Sequence, residues 1–286
     1  MDSYKTAEIP KKEKLENERA KYQIAKKNDL IQTAAFGLKS QEYDLLNFTI
    51  MKIKPEDTEL KPIRINIREY CRVAGINEND NYANIKKAAK GLADKSVWAD
   101  IVDANGKLVK SKLVRWIEDP EIEKGEITIQ LKPYWAPYLL DLKERYTTLL
   151  LHETLPMKSI YGKRTYELLK SYMMNRKGPV VITFEISEYR RIIFGIMEQN
   201  KKYPEFSNFK RRVLDRAMED LREYGGLDVH YKLRKEGYNY KYVDFIVEAR
   251  DLDDLLEVYK RERLHFEKND RSLKLSRNAH KPDTKR

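Results

Sequence analysis

Ile67-Arg68-Glu69-Tyr70-x-Arg72 and Ile186-Ser187-Glu188-Tyr189-x-Arg191 spell one pattern twice in a chain of 286 residues. Each copy leads through a loop into a basic helix and then a pair of strands. Tyr82-Ala83-Asn84-Ile85-Lys86-Lys87 opens the first basic helix, and Phe206-Ser207-Asn208-Phe209-Lys210-Arg211 opens the second. The identities are few, but their order and the elements around them agree. Two copies of a small helix-helix-hairpin unit, each with cations on its last helix, suit a molecule that reads two adjacent stretches of one duplex.

Working outward from the first copy, Leu30, Ile31, Ala34, Ala35 and Leu38, then Tyr43, Leu45, Leu46, Phe48 and Ile50, recur at helical spacing. Ser40 is placed to cap the second of these helices. Ile63 to Ile67 alternates as a short strand, and Arg68 to Ala74 forms a helix closed by Gly75. Asn81 to Ala93 puts Ile85, Ala88, Ala89 and Leu92 on one face and Lys87 and Lys90 on the other. Ser96–Val102 and Leu113–Glu118 make a hairpin around Asn105-Gly106, a strong turn signal. A further strand is expected at Glu126–Leu131. This order reads as a winged helix, with a linker after it around Asp141 to Pro156.

The second unit repeats the order. A helix spans Gly162–Met174, a strand Val180–Ile186, a helix Glu188–Met197 and a basic helix Asn208–Tyr224, ended by Gly225-Gly226. Leu227–Leu233 and Tyr240–Ala249 then pair around a six-residue loop. The fold class is α+β: two tandem winged-helix domains related by an internal pseudo-repeat. The expected boundaries are a charged arm, mobile or partly helical, at 1–27, a first winged helix at 28–145, a second at 146–250 and a basic extension at 251–286. Ile24, Ile31, Leu38 and Leu45 fall every seven residues, but Gly37 interrupts any zipper there, so these four are expected mostly in the first domain's core.

A helix fits the major groove, where its donors reach base edges while neighbouring cations neutralise phosphates. The candidate contacts on the first helix are Asn84, Lys86, Lys87 and Lys90, and on the second Asn208, Lys210, Arg211 and Arg212. Arginine can be bidentate to guanine, whereas lysine more often finds phosphate. Asn84 and Asn208 either contact adenine or cap their helices, and Arg211 either contacts a base or pairs with Asp215 at i,i+4. The wings add Lys107, Lys110 and Lys112, then Lys232, Arg234, Lys235 and Lys241, with Tyr238 and Tyr240 interleaved. Lysine on an exposed hairpin also serves to block edge pairing, and tyrosine at a strand end also serves packing.

Fifty-seven Lys and Arg against 46 Asp and Glu give a net charge of +11, which favours polyanionic partners. No apolar run is long enough to span a bilayer, and Met1 to Lys14 lacks a signal-peptide core, so no membrane partner is expected. The single cysteine, Cys71, excludes an internal disulfide and fits a reducing compartment, which makes cytoplasm the expected location. The four histidines make no paired metal-ligand spacing, and there is no His-x-His to serve a tyrosine nuclease and no P-loop. The residues describe a binder rather than an enzyme, with neither cofactor nor metal.

Lys27-Asn28-Asp29-Leu30-Ile31-Gln32, followed by Leu38-Lys39-Ser40-Gln41-Glu42-Tyr43-Asp44-Leu45-Leu46, resembles the opening of the theta-type plasmid replication initiators of the Rep3 (RepB/RepE-like) family. Tyr161-Gly162-Lys163-Arg164-Thr165-Tyr166-Glu167-Leu168-Leu169-Lys170 is similar to the start of that family's second winged helix. The resemblance covers about residues 28–250 and contains no catalytic signature. It implies monomers bound to directly repeated origin DNA (iterons), a homodimer on an operator that represses its own promoter, dimerisation through the first winged helix, and host initiation proteins and helicase as partners. It implies no cofactor. A winged-helix transcription regulator without a replication role, a metal-dependent DNA-nicking enzyme and a protein-interaction scaffold are the competing readings.

Overall fold

The computed structural model describes residues 22–34, 37–74, 81–102, 108–173, 176, 178–195, 199–251, 253–264 and 267. The chain runs β1 (Gln23–Lys27), α1 (Asn28–Thr33), α2 (Ser40–Met51), β2 (Ile63–Asn66), α3 (Ile67–Ala74), α4 (Asn81–Asp94), β3 (Ser96–Val102), β4 (Leu108–Arg115), β5 (Glu121–Glu123) and β6 (Glu126–Ile129). It continues through α5 (Ala136–Leu139), β7 (Tyr146–Leu150), α6 (Leu151–Thr154), α7 (Ile160–Met173), β8 (Val180–Glu185) and α8 (Ile186–Phe194). Next comes a helix built from Phe206–Phe209, a π turn Lys210–Leu214 and Asp215–Glu223, together α9. β9 (Leu227–Glu236), β10 (Asn239–Ala249) and a last helix over 253–264 follow.

The repeated motif marks equivalent places. In both copies the Ile and Tyr point inward: Ile67 and Tyr70 are buried in the first unit, Ile186 and Tyr189 in the second. Tyr70 meets Phe48 edge-on, and the Tyr189 ring packs near Phe184, Phe209 and Phe245. Around each, a basic helix lies on the unit's opening helix, α4 on α2 and α9 on α7. A strand then a short helix precede the basic helix in both, and a hairpin follows it in both. The tandem winged-helix reading therefore holds element by element.

The two units differ in sheet pairing. In the second, β8 joins the hairpin to give the antiparallel order β8-β10-β9. In the first, the hairpin β3-β4 stands as its own two-stranded sheet, and β2 pairs instead with β6 in the order β2-β6-β5. Two hairpins are longer than the residue pattern indicates. β4 begins at Leu108 and not at Leu113, because Lys110 and Lys112 keep pairing with Ile101 and Ala99 across the ladder. In the second, Glu236 pairs with Asn239, so the expected six-residue loop shrinks to a two-residue turn at Gly237-Tyr238. Gly237 takes a φ of 63°, which the first position of a type II′ turn requires. Asn105-Gly106, Lys107 and Gly75 lie outside the described residues.

Three further expectations are corrected. Ser40 is the first helical residue of α2 and not its cap; the Lys39 backbone N–H donates to the Glu42 carboxylate at 2.7 Å instead. Gln23–Lys27, assigned by its charge to an arm ending at 27, is a strand that pairs antiparallel with β7. The segment 141–156, expected as a linker, contains β7 and α6, with Leu149, Leu151 and Leu155 buried. Pairing partners more than a hundred residues apart leave no trace in a local pattern. Ile24, Ile31, Leu38 and Leu45 are all buried, spread over a strand, a helix, a loop and a second helix, so they belong to the core and form no zipper. Residues 1–21 and 268–286, the outer parts of the two expected extensions, lie outside the described residues.

The apolar core runs without a break from Ile24 in β1 to Val247 in β10. Between the units it is crossed by a buried polar network centred on Glu167 of α7. Lys26 Nζ donates to Glu167 Oε1 at 2.5 Å, while the Tyr43 hydroxyl and Arg164 Nη1 donate to Oε2 at 2.6 and 2.5 Å. Beside it, Lys163 Nζ donates to both Asp44 oxygens, and Arg164 Nη2 reaches the carbonyls of Ile31 and Ala34. α7 is thus bonded to β1, α1 and α2 at once, which sets how the second unit sits on the first.

Candidate nucleic-acid interface

α9 buries Phe209, Val213, Leu214, Ala217 and Leu221 and exposes Asn208, Arg211, Arg212, Arg216 and Glu219. The Arg211–Asp215 pair, the alternative to a base contact, does not form. In the π turn, partners come together at i and i+5, so Asp215 is reached by Lys210 Nζ, at 2.8 and 2.9 Å. The Tyr231 hydroxyl of β9 donates to the same carboxylate at 2.6 Å. Partial burial pushes the Asp215 carboxyl up, but the bonds from Lys210 and Tyr231 outweigh it and hold the group below 3.8. The Lys210 ammonium is raised above 10.5 by its bond to Asp215. Lys210, a candidate contact, is therefore paired along α9 with its side chain half-exposed, and Asp215 fastens the helix to the wing through Tyr231.

Arg211 is left projecting, with Nη2 donating to Asn208 Oδ1 at 3.0 Å. Asn208 orients this guanidinium and caps nothing, since Glu205 occupies the cap position. Arg212 is exposed beside it. A pre-aimed guanidinium with a free neighbour is suited to forked donation to a base edge or to phosphate.

The wing returns to the same surface. Tyr240 stacks on Phe206, at the start of α9, with ring centroids 4.7 Å apart and planes inclined by 23°. Lys235 Nζ lies 4.9 Å from the Tyr240 ring centroid. Two of the other three wing cations are paired: Arg234 Nη2 donates to Asp244 Oδ1 at 3.0 Å, and Lys241 donates to Glu236. The bonds from Arg234 and Thr183 hold the Asp244 carboxyl below 3.8. Lys232 remains exposed on β9. Asn208, Lys210, Arg211, Tyr231, Lys235 and Tyr240 are thus tied into one assembly, while Arg234 and Lys241 are paired along the hairpin.

In the first unit, α4 exposes Lys86, Lys87 and Lys90 and buries Ile85, Ala88, Ala89 and Leu92, as its spacing indicates. Asn84 is part-buried. Lys90 pairs with Asp94 one turn on, a highly exposed pair of small energetic weight. Lys86 Nζ sits over the Tyr82 ring at 5.7 Å, and Lys87 faces no acidic group among the described residues. On the hairpin, Lys112 Nζ turns back over Tyr134 at 5.4 Å, and Lys110 is exposed. The two basic helices pack on different opening helices, so the candidates form two surfaces, one per unit.

One residue behind this interface has no signal in the sequence. Arg190 occupies the variable position of the repeated motif, where the first copy has the buried Cys71. Its guanidinium donates to the carbonyls of Gln199, Tyr203 and Lys202 at 2.8, 3.0 and 2.6 Å, and it lies 4.6 Å from the Phe209 ring centroid. It ties the loop before α9 to α8, so a cation that looks like a contact is a brace.

Among the described residues, no cluster of three or more His, Cys, Asp or Glu is placed to hold a metal, and no helix is long and apolar enough to cross a membrane. Residues 23–170 match the family model described as Initiator Replication protein, WH1, and residues 191–247 match Initiator Rep protein, WH2. The PI protein of Escherichia coli is 24% identical over 159 residues, 50% of this chain and 52% of that relative, so the chain spans about half the length of the curated relative it matches. A crystal structure of Pi initiator protein in complex with iteron DNA superposes with a TM-score of 0.65 at 20% identity, covering 81% of this chain and 99% of the other, which shows the shared fold. Because the WH1 model alone matches more than half of the 286 residues and the WH2 model follows it in order, the chain belongs to the initiator replication protein family.

Proposed function

We propose that this protein initiates plasmid replication by binding repeated origin DNA through both winged helices, without catalysis of its own. The observation that carries the reading is the assembly on the second unit, where Asn208 aims Arg211, the π turn pairs Lys210 with Asp215, and Phe206 holds the wing against the same helix. Such an arrangement presents one oriented guanidinium, with a free one beside it, to a groove and a wing to its flank. The solved structure it resembles, described as Pi initiator protein in complex with iteron DNA, supports iterons as the ligand.

In this mechanism Lys86, Lys87, Lys90 and Lys235 contact phosphate and set register, while Arg211, Arg212 and Asn208 select bases; Asn84 contributes from the first unit. Residues 28–145 and 146–250 act as the two DNA-binding units. A homodimer formed through the first unit represses the protein's own promoter, and host initiation proteins and helicase complete initiation in the cytoplasm. The test is a titration of purified protein against the repeats flanking its gene, with scrambled duplex as competitor, over a range of salt. Selective binding whose affinity falls steeply with salt is expected. Equal binding to both duplexes would overturn the reading, and binding without support of replication would make the protein a regulator.

A further inference from the structure

The tip of the second hairpin carries Tyr238, 99% exposed, on the two-residue turn between Glu236 and Asn239. Resting on the DNA reading above, we propose that Tyr238 is a wedge that enters the groove beside the recognition helix and unstacks one base step of the bound duplex.

Four observations converge on this residue. Tight hairpin turns favour Gly, Asn, Asp and Ser, yet this one follows Gly237 with a large aromatic that touches nothing. The hairpin reaches past its sheet: β8 stops pairing at Tyr242, opposite Arg234, and Lys235 and Glu236 carry β9 about 7 Å further at the usual rise per strand residue. The hairpin is also held rigid relative to α9, by the Tyr240–Phe206 stack at its outer end and by the Tyr231–Asp215 bond nearer its base. A side chain on such a lever is positioned whenever the helix is docked.

Charge at the tip leaves Lys235 as its cation for phosphate. Arg234 and Lys241 are neutralised by Asp244 and Glu236, and Lys235 is drawn over Tyr240. What the outermost turn offers is a ring face, with Lys232 further back for the backbone. Apolar side chains inserted between base steps unstack them and kink the duplex by tens of degrees, on the order of 20–90°. An initiator that must distort its origin gains such a kink at each bound repeat.

The experiment walks 2-aminopurine through a repeat and its flanks, bound by the full chain as wild type, Tyr238→Ala and Tyr238→Phe, with bend angles from circular permutation of the same site. Expected for the wild type and Tyr238→Phe is enhanced fluorescence at one step on the wing side, with a bend centred there. Expected for Tyr238→Ala is loss of both, with affinity roughly ten-fold weaker and an unchanged preference for the repeat over scrambled duplex. Since Tyr238 is exposed, an unchanged circular dichroism spectrum confirms that the variant folds. If the wild type prefers the repeats but no step responds, or if Tyr238→Ala keeps signal and bend, the wedge is overturned and the tip is left for a protein partner. If the wild type shows no preference for the repeats, the DNA reading itself falls, and the two failures are told apart by that control.

Discussion

Arg211 and Arg212 are adjacent cations with different surroundings: the first is steered by Asn208, the second stands in solvent. Replacing each with alanine should cost about 1–3 kcal/mol of binding per lost base contact and relax specificity at that position. Competition titrations with single-base variants of the repeat measure this, and an unchanged preference would remove these residues from base readout. Lys87→Ala should instead weaken all sequences alike and lower the salt slope by roughly one. Arg190 is a different kind of cation. Arg190→Ala leaves three carbonyls without their donor and should cost about 1–3 kcal/mol of stability for each that stays unsatisfied. Lysine cannot reproduce the planar fork, so Arg190→Lys should fail to restore the urea midpoint; full recovery would show that charge alone suffices.

At the scale of elements, each recognition helix meets its opening helix where a glycine faces a carboxylate, but the roles are exchanged. In the first unit the glycine is Gly91 on α4 and the acid Glu42 on α2; in the second the glycine is Gly162 on α7 and the acid Asp220 on α9. An added Cβ at Gly91 would lie 2.2 Å from Glu42 Oε1, on a carboxylate held by one backbone N–H, that of Lys39, and by Lys95. At Gly162 it would lie 2.5 Å from Asp220 Oδ2 and 2.6 Å from Asp220 Cβ. That carboxylate is pinned, because it accepts from the backbone N–H groups of Lys158 and Ser159 at 3.0 and 2.8 Å. Gly162→Ala is therefore expected to destabilise by about 1–3 kcal/mol through overpacking. Gly91→Ala is expected to destabilise by less, because the clash falls on side-chain atoms held by a single backbone bond and a helix-propensity gain of up to about 1 kcal/mol offsets part of the loss. Thermal or urea unfolding of the two variants compares them directly, and equal losses would show that the exchanged geometry carries no weight.

For the whole molecule, the seam around Glu167 makes the two winged helices one folding unit. All three tryptophans lie in the first unit, so their fluorescence reports it alone, whereas far-ultraviolet circular dichroism reports both. The two unfolding curves should coincide in urea, and separate midpoints would show independent units. Burial pushes the Glu167 carboxyl up, yet the charges of Lys26 and Arg164 outweigh this and hold it below 4.5. A depressed carboxylate contributes stability that is complete above its unfolded value and lost as pH falls through the lower folded one. Glu167→Gln removes the charge that Glu167 sets against the buried Lys26 and Arg164 and should cost about 3–5 kcal/mol at neutral pH. That difference from wild type should shrink as pH drops below 4.5; a gap independent of pH would mean that shape, not charge, is what glutamine fails to supply.

Local pattern by itself determined much of this protein. The repeated Ile-x-Glu-Tyr-x-Arg motif, the helical stripes of α4 and α9 and the alternation in β8 and β10 specify tandem winged helices, because burying one face at a period of 3.6 or 2 residues is a property of neighbouring residues. The basic faces carrying Lys87, Arg211 and Arg212 were legible for the same reason. Only the tertiary structure decided what the cations do. Lys26 finds Glu167 from 141 positions away, Lys210 takes Asp215 because one turn of α9 is wound as a π helix, and Arg190 turns inward where its motif partner is a cysteine. Whether a charged side chain faces a groove, a neighbouring acid or the core depends on the elements that pack over it, and those arrive from distant parts of the chain.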